Sequence, residues 1–470
     1  MVSLAGHPDR RVVAVLEPVE APVGKVFVQT FGCQMNVYDS GKIHALLGKD
    51  GYEPTESMDD ADVIIVNTCS IREKPELKLH SFLGEALKIK RTQDRPVTVA
   101  VAGCVAQQEG DKLLKRYREL DLVFGPDAVP RVRDLVSAAG SDVPRATKQV
   151  LDTEFLDLET YVFATDLDPA SEGQVGAFVT IQKGCDNKCT FCIVPSTRGP
   201  EVSRPSDQIV AEVRALVDTG VREITLIGQN VNSYGLKVAG ERTFAQLLYA
   251  VSDVEGVERI RYTTSHPRDM GPDVIQAYRD LPKLTSHLHL PVQSGSSRVL
   301  RRMKRFYTRE RFLEVVEQLK DARPDIVLST DFIVGFPGES DEDFEETMTL
   351  LDIVGFESSF SFKYSQRPDT PALRLLKDEV PPDVAQARLM RLQARQREIS
   401  REANEALAGQ THAVLVEGPS RYDDGVVCGR TSTFKIVNFP GSLDQVGHTV
   451  DVSIIAGFTN SLRGEPALFA

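Results

Sequence analysis

Three cysteines lie close together in the sequence at a spacing that suits metal chemistry. Cys185, Cys189 and Cys192 form a Cys-x3-Cys-x2-Cys motif directly after an apolar, strand-like run. Zinc is the simpler interpretation because neighbouring thiolates bind it well, but a structural zinc site needs a fourth Cys or His ligand. No such ligand follows nearby, because the nearest later histidine is His266. Three thiolates without a fourth protein ligand suit a four-iron cluster that keeps one iron open, since full ligation would use four. The motif therefore favours catalysis over structural metal binding.

Three further cysteines recur at nearly equal intervals nearer the start of the chain. Cys33, Cys69 and Cys104 each follow a short apolar run rich in β-branched residues. This period fits one strand plus one crossover helix, the unit from which parallel sheets are built. Because ligands bind beyond the carboxyl ends of such strands, the three thiols are predicted to converge at one edge of the sheet. The alternatives are three buried cysteines that act as small hydrophobic residues, or a coincidental spacing.

The elements that must position these cysteines alternate between strand and helix, which predicts an α/β protein. Three strand–helix units occupy residues 24–140. From residue 177 onward, six strand candidates alternate with helical patterns, which is typical of a parallel barrel or part of one. The predicted strands of this barrel are residues 177–183, 223–227, 259–265, 287–292, 326–336 and 357–364. The residues expected at its carboxyl-terminal mouth, as candidate cofactor contacts, are Gly228, Gln229, Ser265, His266 and Gln293.

The sequence pattern changes in the last part of the chain, after a long charged helix predicted over residues 382–407. Short β-branched runs separated by glycine predict a small antiparallel β-barrel. The expected organisation is a disordered leader over residues 1–23, a small parallel-sheet domain over 24–140, a partial (β/α)6 barrel over 171–408 and the β-barrel over 409–470.

Composition excludes several classes of protein. The chain has 470 residues, a formal charge of −13, 41% apolar residues and 26% charged residues. This composition excludes disordered, collagen-like and coiled-coil classes. No apolar run is long enough to span a bilayer and no signal peptide is evident. The odd number of cysteines argues against a disulfide framework, so the protein is predicted to be cytoplasmic.

The acidic net charge argues weakly against binding of nucleic acid, but one stretch of the chain is strongly basic. Residues 298–311 contain seven basic residues, one acidic residue and two aromatic residues. Cations and rings together suit single-stranded RNA, whose phosphates are neutralised and whose bases stack. The alternative is a solvated helix face. The candidate RNA contacts are Arg301, Arg302, Lys304, Arg305 and Tyr307, with Arg430 and Lys435 in the tail.

The cysteine motifs in their contexts resemble those of the radical S-adenosylmethionine methylthiotransferases. The resemblance covers nearly the whole chain after residue 24. It implies one [4Fe-4S] cluster on Cys185, Cys189 and Cys192, which cleaves S-adenosylmethionine, and an auxiliary [4Fe-4S] cluster on the other three cysteines. It also implies that the tail is a TRAM-like RNA-binding barrel. The stretches that carry the resemblance are residues 30–36, 67–73, 102–104, 185–199, 263–267, 331–339 and 429–431.

Within this family the motifs look most like those of enzymes that add a methylthio group to carbon 2 of isopentenyladenosine beside the tRNA anticodon. Sister enzymes act on threonylcarbamoyl-adenosine in tRNA or on an aspartate of a ribosomal protein. Ser196 departs from the tyrosine expected there, which bears on the subgroup.

The implied partners are the tRNA anticodon stem-loop, S-adenosylmethionine and a low-potential electron donor. No membrane is involved, and a monomer is expected. Cys428 is interpreted as a non-ligand. The competing classes are an iron–sulfur electron-transfer protein and a zinc-dependent RNA-binding protein.

Overall fold

The computed structural model describes residues 23–70, 73–140, 149–156, 161–168, 173–421 and 425–467. The predicted leader, apart from residue 23, lies outside the described residues. Within the described part of the chain, no helix is both long and apolar enough to cross a membrane.

The first domain is built on a six-stranded, wholly parallel sheet. Its central strand, Val63–Thr68, is buried along its whole length, as expected for a strand covered by helices on both faces. The last strand, Val150–Asp152, joins the same sheet, so this sheet extends past the predicted boundary at residue 140. In spatial order the strands are Tyr52–Pro54, Gly24–Phe31, Val63–Thr68, Thr98–Gly103, Leu122–Phe124 and Val150–Asp152. The helices are Gln34–Gly48, Glu73–Thr92, Cys104–Glu109, Asp111–Arg116 and Val132–Gly140.

The second domain is the predicted partial barrel. Its six main strands form two parallel three-stranded sheets. Ile260 of the first sheet forms an isolated parallel bridge with Leu284, which precedes the first strand of the second sheet. Alternate apolar residues face outward and pack against helices in the largest core of the molecule, which leaves polar residues on the inner face. The strands are Gly176–Thr180, Glu223–Ile227, Arg259–Tyr262, His287–His289, Val327–Val334 and Ser358–Lys363. The helices are Val194–Arg198, Ser206–Asp218, Phe244–Ser252, Pro272–Asp280, Ser297–Arg302, Arg309–Ala322 and Asp341–Val354.

The third domain is a closed five-stranded β-barrel, as predicted. The long helix Pro382–Glu405 leads into it. The β-barrel docks near the amino-terminal ends of the strands of the second domain. There the guanidinium of Arg259 donates to the carbonyl of Arg430, and the guanidinium of Arg261 donates to the carbonyl of Thr431 at 3.0 Å. Its strands are Thr411–Pro419, Val426–Thr431, Ile436–Pro440, Thr449–Gly457 and Leu462–Pro466.

Candidate active site

The first three cysteines, called here the amino-terminal thiol group, meet at one edge of the parallel sheet. Cys33, Cys69 and Cys104 follow directly on neighbouring strands. The thiol of Cys69 forms hydrogen bonds with the thiols of both Cys33 and Cys104. The glycine before Cys104 permits this approach, because Gly103 has a φ of +87° and a Cβ there would lie 2.4 Å from the side-chain oxygen of Asn67.

Two asparagines support this thiol group from within the same domain. The thiol of Cys33 donates to Oδ1 of Asn36 at 3.3 Å, and Nδ2 of Asn36 donates to Oδ1 of Asn67 at 2.9 Å. Both asparagines are buried. Asn36 lies three residues after Cys33, and Asn67 lies two residues before Cys69. Their positions within the cysteine motifs were the sequence signal that could have identified them.

Electrostatics favour the deprotonated form of two thiols in this group. The hydrogen bond with Cys69 lowers the pKa of Cys33 to about 7, against the opposing effect of burial. The pKa of Cys104 falls to about 6, chiefly through its hydrogen bond with Cys69 and further through the positive charge of Arg198. Hydrogen bonds with these two neighbours raise the pKa of Cys69 itself. Since thiolates are the metal ligands, this group is prepared to bind metal.

The second three cysteines, called here the barrel thiol group, lie in the loop after the first barrel strand. The backbone N–H of Cys185 donates to the carbonyl of Gly199 at 3.1 Å and closes this loop at its base. The buried guanidinium of Arg305 donates from Nη1 to the sulfur of Cys189 at 3.4 Å. Burial raises the pKa of Cys185 to about 11 and that of Cys192 to about 12. These thiols therefore lose their protons when a ligated metal stabilises the thiolates.

The residues predicted at the barrel mouth follow the carboxyl ends of the strands. The side chain of Gln229 accepts a hydrogen bond from the N–H of Gly184 at 2.5 Å. The N–H of His266 donates to Oδ1 of Asn232 at 2.9 Å. Gln293 has a φ of +75°, and its N–H donates to the carbonyl of Asp331. A Cβ at Gly228 would lie 2.7 Å from Cγ of Gln182, so close packing accounts for that glycine.

Several buried polar atoms at this mouth have no hydrogen-bond partner among the described residues. Both polar side-chain atoms of Gln182 are unpartnered, as are Oγ of Ser265, Nε2 of His266 and Oδ1 of Asn230. Buried polar atoms are normally satisfied, so an unpartnered one calls for a water, an ion, strain or a functional role to explain it. Burial, with the nearby positive charges of Arg305 and Arg268, lowers the pKa of His266 to about 2. His266 is therefore neutral. The unpartnered atoms at the mouth are therefore available to a polar ligand.

No group of three or more His, Cys, Asp or Glu side chains in the described part of the chain is arranged to hold a single metal ion. Both thiol groups nevertheless consist only of sulfur donors, each beside a buried arginine. Three cysteine ligands suit an iron–sulfur cluster, which spreads its ligands over several irons, whereas a structural zinc ion takes four protein ligands. The donor chemistry therefore fits clusters rather than the single zinc ion considered above. Cys428 lies apart from both groups, on a strand of the β-barrel opposite Asn438.

Burial corrects three of the predicted RNA contacts, two in the basic stretch and one in the tail. Arg305 and Tyr307 are buried, and the hydroxyl of Tyr307 donates to the carbonyl of Val292 at 2.7 Å. Lys435 is also buried and forms an ion pair with Glu357 at 2.5 Å. These side chains were predicted to be exposed because the sequence shows their charge but not whether they point toward solvent or the interior.

The remaining candidate RNA contacts differ in whether they are exposed or paired with an acidic side chain. Arg301 and Lys304 are exposed. Arg302 forms an ion pair with Asp378 at 2.7 Å, and Arg430 pairs with Glu417. Arg301 and Lys304 are thus the strongest of the candidate contacts with phosphate.

The structure places two arginines against sulfur. Sequence reasoning assigned no role to Arg198 and took Arg305 for an RNA contact. Arg198 reaches Cys104, and Arg305 reaches Cys189. Arg198 lies six residues after Cys192, within the stretch 185–199 that carries the family resemblance, and this position was its sequence signal. Only the packing of the first domain against the second brings it to the amino-terminal thiol group.

Comparisons with known proteins match all three domains. Residues 25–125 match the "Uncharacterized protein family UPF0004", residues 179–351 match the radical SAM superfamily, and residues 405–467 match the TRAM domain. Residues 126–178 fall between the first two matches.

Similar curated proteins share one name, tRNA-2-methylthio-N(6)-dimethylallyladenosine synthase. The chain is 48% identical to the protein of this name from Geobacter metallireducens over 446 residues, which cover 94% of this chain and 98% of that protein. It is 49% identical to the Myxococcus xanthus protein over 443 residues, which cover 94% of each.

Solved structures support the fold at much lower identity. The radical S-adenosylmethionine methyltransferase TsrM from Kitasatospora setae matches with a TM-score of 0.54 and 13% identity, over 86% of this chain and 77% of that chain. The cobalamin-dependent enzyme OxsB matches with a TM-score of 0.52 and 14% identity, over 76% of this chain and 55% of that chain.

Proposed function

Since the chain belongs to the family of tRNA-2-methylthio-N(6)-dimethylallyladenosine synthases, we propose that it adds a methylthio group to carbon 2 of N(6)-dimethylallyladenosine (isopentenyladenosine) beside the tRNA anticodon. The observation that carries this proposal is the presence of two separate three-thiol groups. One lies at the end of the parallel sheet and the other in the first barrel loop.

The residues that would hold the cofactors are those of the two thiol groups. Cys185, Cys189 and Cys192 would bind the radical SAM [4Fe-4S] cluster, and the amino-terminal thiol group would bind the auxiliary one. When bound, the clusters and S-adenosylmethionine supply the one-electron chemistry and the sulfur that an unactivated C–H bond requires. The unpartnered polar atoms of Gln182, Ser265 and His266 support placing S-adenosylmethionine at the barrel mouth.

The chain's own residues would prepare the site for this chemistry. Arg305 holds Cys189 and is itself fixed by the carbonyl of Pro291 at 3.0 Å. The ring of His266 meets that of Tyr307 edge to face at 5.6 Å. Both rings are buried, so this side of the mouth excludes water. A dry, fixed environment protects reactive species from side reactions.

The tRNA would bind through the β-barrel and the exposed part of the basic stretch. Arg301 and Lys304 adjoin the barrel thiol group, because Thr190 donates from its N–H to the carbonyl of Met303 at 3.0 Å. The target base must leave its stack to reach the mouth, as bases do in enzymes that modify them. Exposed cations at this rim would neutralise the phosphates beside such a base.

We further infer that the protein works in the cytoplasm, takes electrons from a low-potential donor and acts as a monomer. Its substrate class supports the location. One chain supplies both thiol groups, so the site needs no residue from a second copy.

Two sets of anaerobic measurements test this function. After reconstitution with iron and sulfide, wild type should hold two four-iron clusters. Cys33→Ala/Cys69→Ala/Cys104→Ala should hold one, whose paramagnetic resonance spectrum changes when S-adenosylmethionine is added. With a reductant and tRNA that carries isopentenyladenosine, nucleoside mass spectrometry should detect the methylthio product for wild type and for Cys428→Ala. It should detect none for that triple variant or for Cys185→Ala/Cys189→Ala/Cys192→Ala. Bound zinc without iron, or product from the triple variants, would refute the proposal.

A further inference from the structure

We propose that Arg198 is a positioning residue that holds Cys104 in register with the barrel thiol group and raises the reduction potential of the auxiliary cluster. This inference rests on the proposed function, which places a cluster on Cys33, Cys69 and Cys104. Arg198 belongs to the barrel domain, whereas all three of those cysteines belong to the first domain.

The guanidinium of Arg198 contacts both the sulfur and a buried acid. Its Nε–H donates to the sulfur of Cys104 at 3.3 Å, and Nη2 lies 2.8 Å from Oδ2 of Asp39. Arg198 is only 4% exposed. Burying an arginine is costly unless an anion compensates it, and a cysteine thiolate that binds a cluster is such an anion.

The backbone around Arg198 links the two thiol groups. Arg198 ends the helix Val194–Arg198, and this helix packs against Cys104–Glu109, which begins at a cysteine of the first group. The next residue, Gly199, accepts a hydrogen bond from the N–H of Cys185 at 3.1 Å. The two sets of ligands are therefore separated by one arginine side chain and one backbone hydrogen bond, and a displacement of Arg198 would move one set relative to the other.

The local charges predict how Arg198 affects the potential. Lys183 and Asp127, which lie nearby, pair with each other at 2.5 Å. Asp39 is therefore the carboxylate that offsets the positive charge of Arg198. Charge and hydrogen bonds to sulfur set the potentials of iron–sulfur clusters. A cation at the sulfur stabilises the reduced, more negative cluster and so raises its potential. A carboxylate behind that cation weakens this effect.

Two substitutions should therefore shift the potential in opposite directions. The experiment uses the full chain with Cys185→Ala/Cys189→Ala/Cys192→Ala, so that only the auxiliary cluster is observed, and redox titration followed by paramagnetic resonance at pH 8. Arg198→Gln should lower the midpoint potential because it removes the charge and the donor at sulfur. Asp39→Asn should raise it because the guanidinium is left uncompensated. Arg198→Gln should also lose iron to a chelator faster, because removing a group that supports a metal ligand typically lowers metal affinity by about 10- to 100-fold.

A matched control separates this effect from a loss of domain packing. Arg204 is another fully buried arginine near the junction of the two domains, pairs with Glu212 and contacts no cysteine. Arg204→Gln should leave the potential unchanged even if it lowers the unfolding temperature. If Arg198→Gln does not fold, Arg198→Lys should keep a potential near that of the parent but lose iron faster.

Three outcomes would overturn the inference: shifts of the same sign for Arg198→Gln and Asp39→Asn, no shift for either, or an equal shift for Arg204→Gln. A chain with Cys33, Cys69 and Cys104 intact that takes up no iron on them refutes the cluster assignment, and this inference with it. A cluster that forms but does not respond to Arg198 refutes this inference alone.

Discussion

The guanidinium of Arg305 donates a hydrogen bond from Nη1 to the sulfur of Cys189 across 3.4 Å. Arg305 also donates to the carbonyl of Pro291 and to the hydroxyl of Tyr307. These contacts fix the arginine before any metal binds. The barrel thiol group thus has a cation at one sulfur, while burial raises the pKa of Cys185 and Cys192.

Arg305→Gln should weaken cluster binding at the barrel thiol group. It removes the charge and the donor at Cys189, and groups that support a metal ligand typically contribute about 10- to 100-fold in affinity. The measurement is the rate of iron loss to a chelator in the chain with Cys33→Ala/Cys69→Ala/Cys104→Ala. Arg309→Gln is the control, because Arg309 donates to the carbonyl of Gly295 at 3.2 Å and contacts no cysteine. Equal rates for the two variants would contradict the prediction.

The buried pair between Lys435 and Glu357 should be important for docking of the β-barrel. The ammonium lies 2.5 Å from the carboxylate and 2.6 Å from the side-chain oxygen of Asn404. Removing one partner of a buried pair leaves an uncompensated charge and costs about 3–5 kcal/mol. Lys435→Met should therefore lower the free energy of unfolding by that order in denaturant titration. Lys435→Met/Glu357→Leu should recover part of the loss. A double variant less stable than the single one would argue against this account.

Arg301→Ala/Lys304→Ala should weaken tRNA binding and reduce its salt dependence. Each phosphate contact on a single strand contributes about 0.7 to the slope of log K against log salt concentration, so two contacts contribute about 1.4. Fluorescence anisotropy with an anticodon stem-loop at several salt concentrations measures this slope. Lys112→Ala/Lys115→Ala is the matched control, since both lysines are largely exposed on the first domain. An unchanged slope would remove Arg301 and Lys304 from the RNA interface.

Cys33 should react with iodoacetamide at lower pH than Cys185 in the iron-free protein. Both are half-buried, so the fraction of thiolate decides the comparison. The pKa of Cys33 is lowered to about 7 and that of Cys185 is raised to about 11, so at pH 8 Cys33 is mostly thiolate and Cys185 mostly thiol. Alkylation of Cys33 should rise through pH 7, while Cys185 stays slow until pH is well above 9. Mass spectrometry of peptides after anaerobic labelling measures both.

Cys428 provides the internal comparison for that labelling. It is half-buried and burial raises its pKa, so it should label slowly at pH 8, like Cys185. Similar rates for all three cysteines at pH 8 would show that exposure, not ionisation, controls the reaction.

The sequence alone determined the elements and the convergence of the amino-terminal thiol group. Helix Arg309–Ala322 lies between two predicted barrel strands, where a helical pattern is expected, and strand Val63–Thr68 lies where a β-branched run predicts one. Periodicity is a local property, so it can be read without the fold. Cys33, Cys69 and Cys104 meet because parallel strands end at the same edge of a sheet.

Only the tertiary structure decided which cations face sulfur, acid or solvent. In residues 304–307 exposure alternates, with Lys304 and Phe306 outside and Arg305 and Tyr307 inside. This arrangement depends on φ values of +55° at Lys304 and +57° at Phe306, which no propensity predicts for these residue types. Lys435 and Arg198 are buried because their partners come from distant parts of the chain. Burial of a charge is decided by those partners, and sequence spacing does not reveal them.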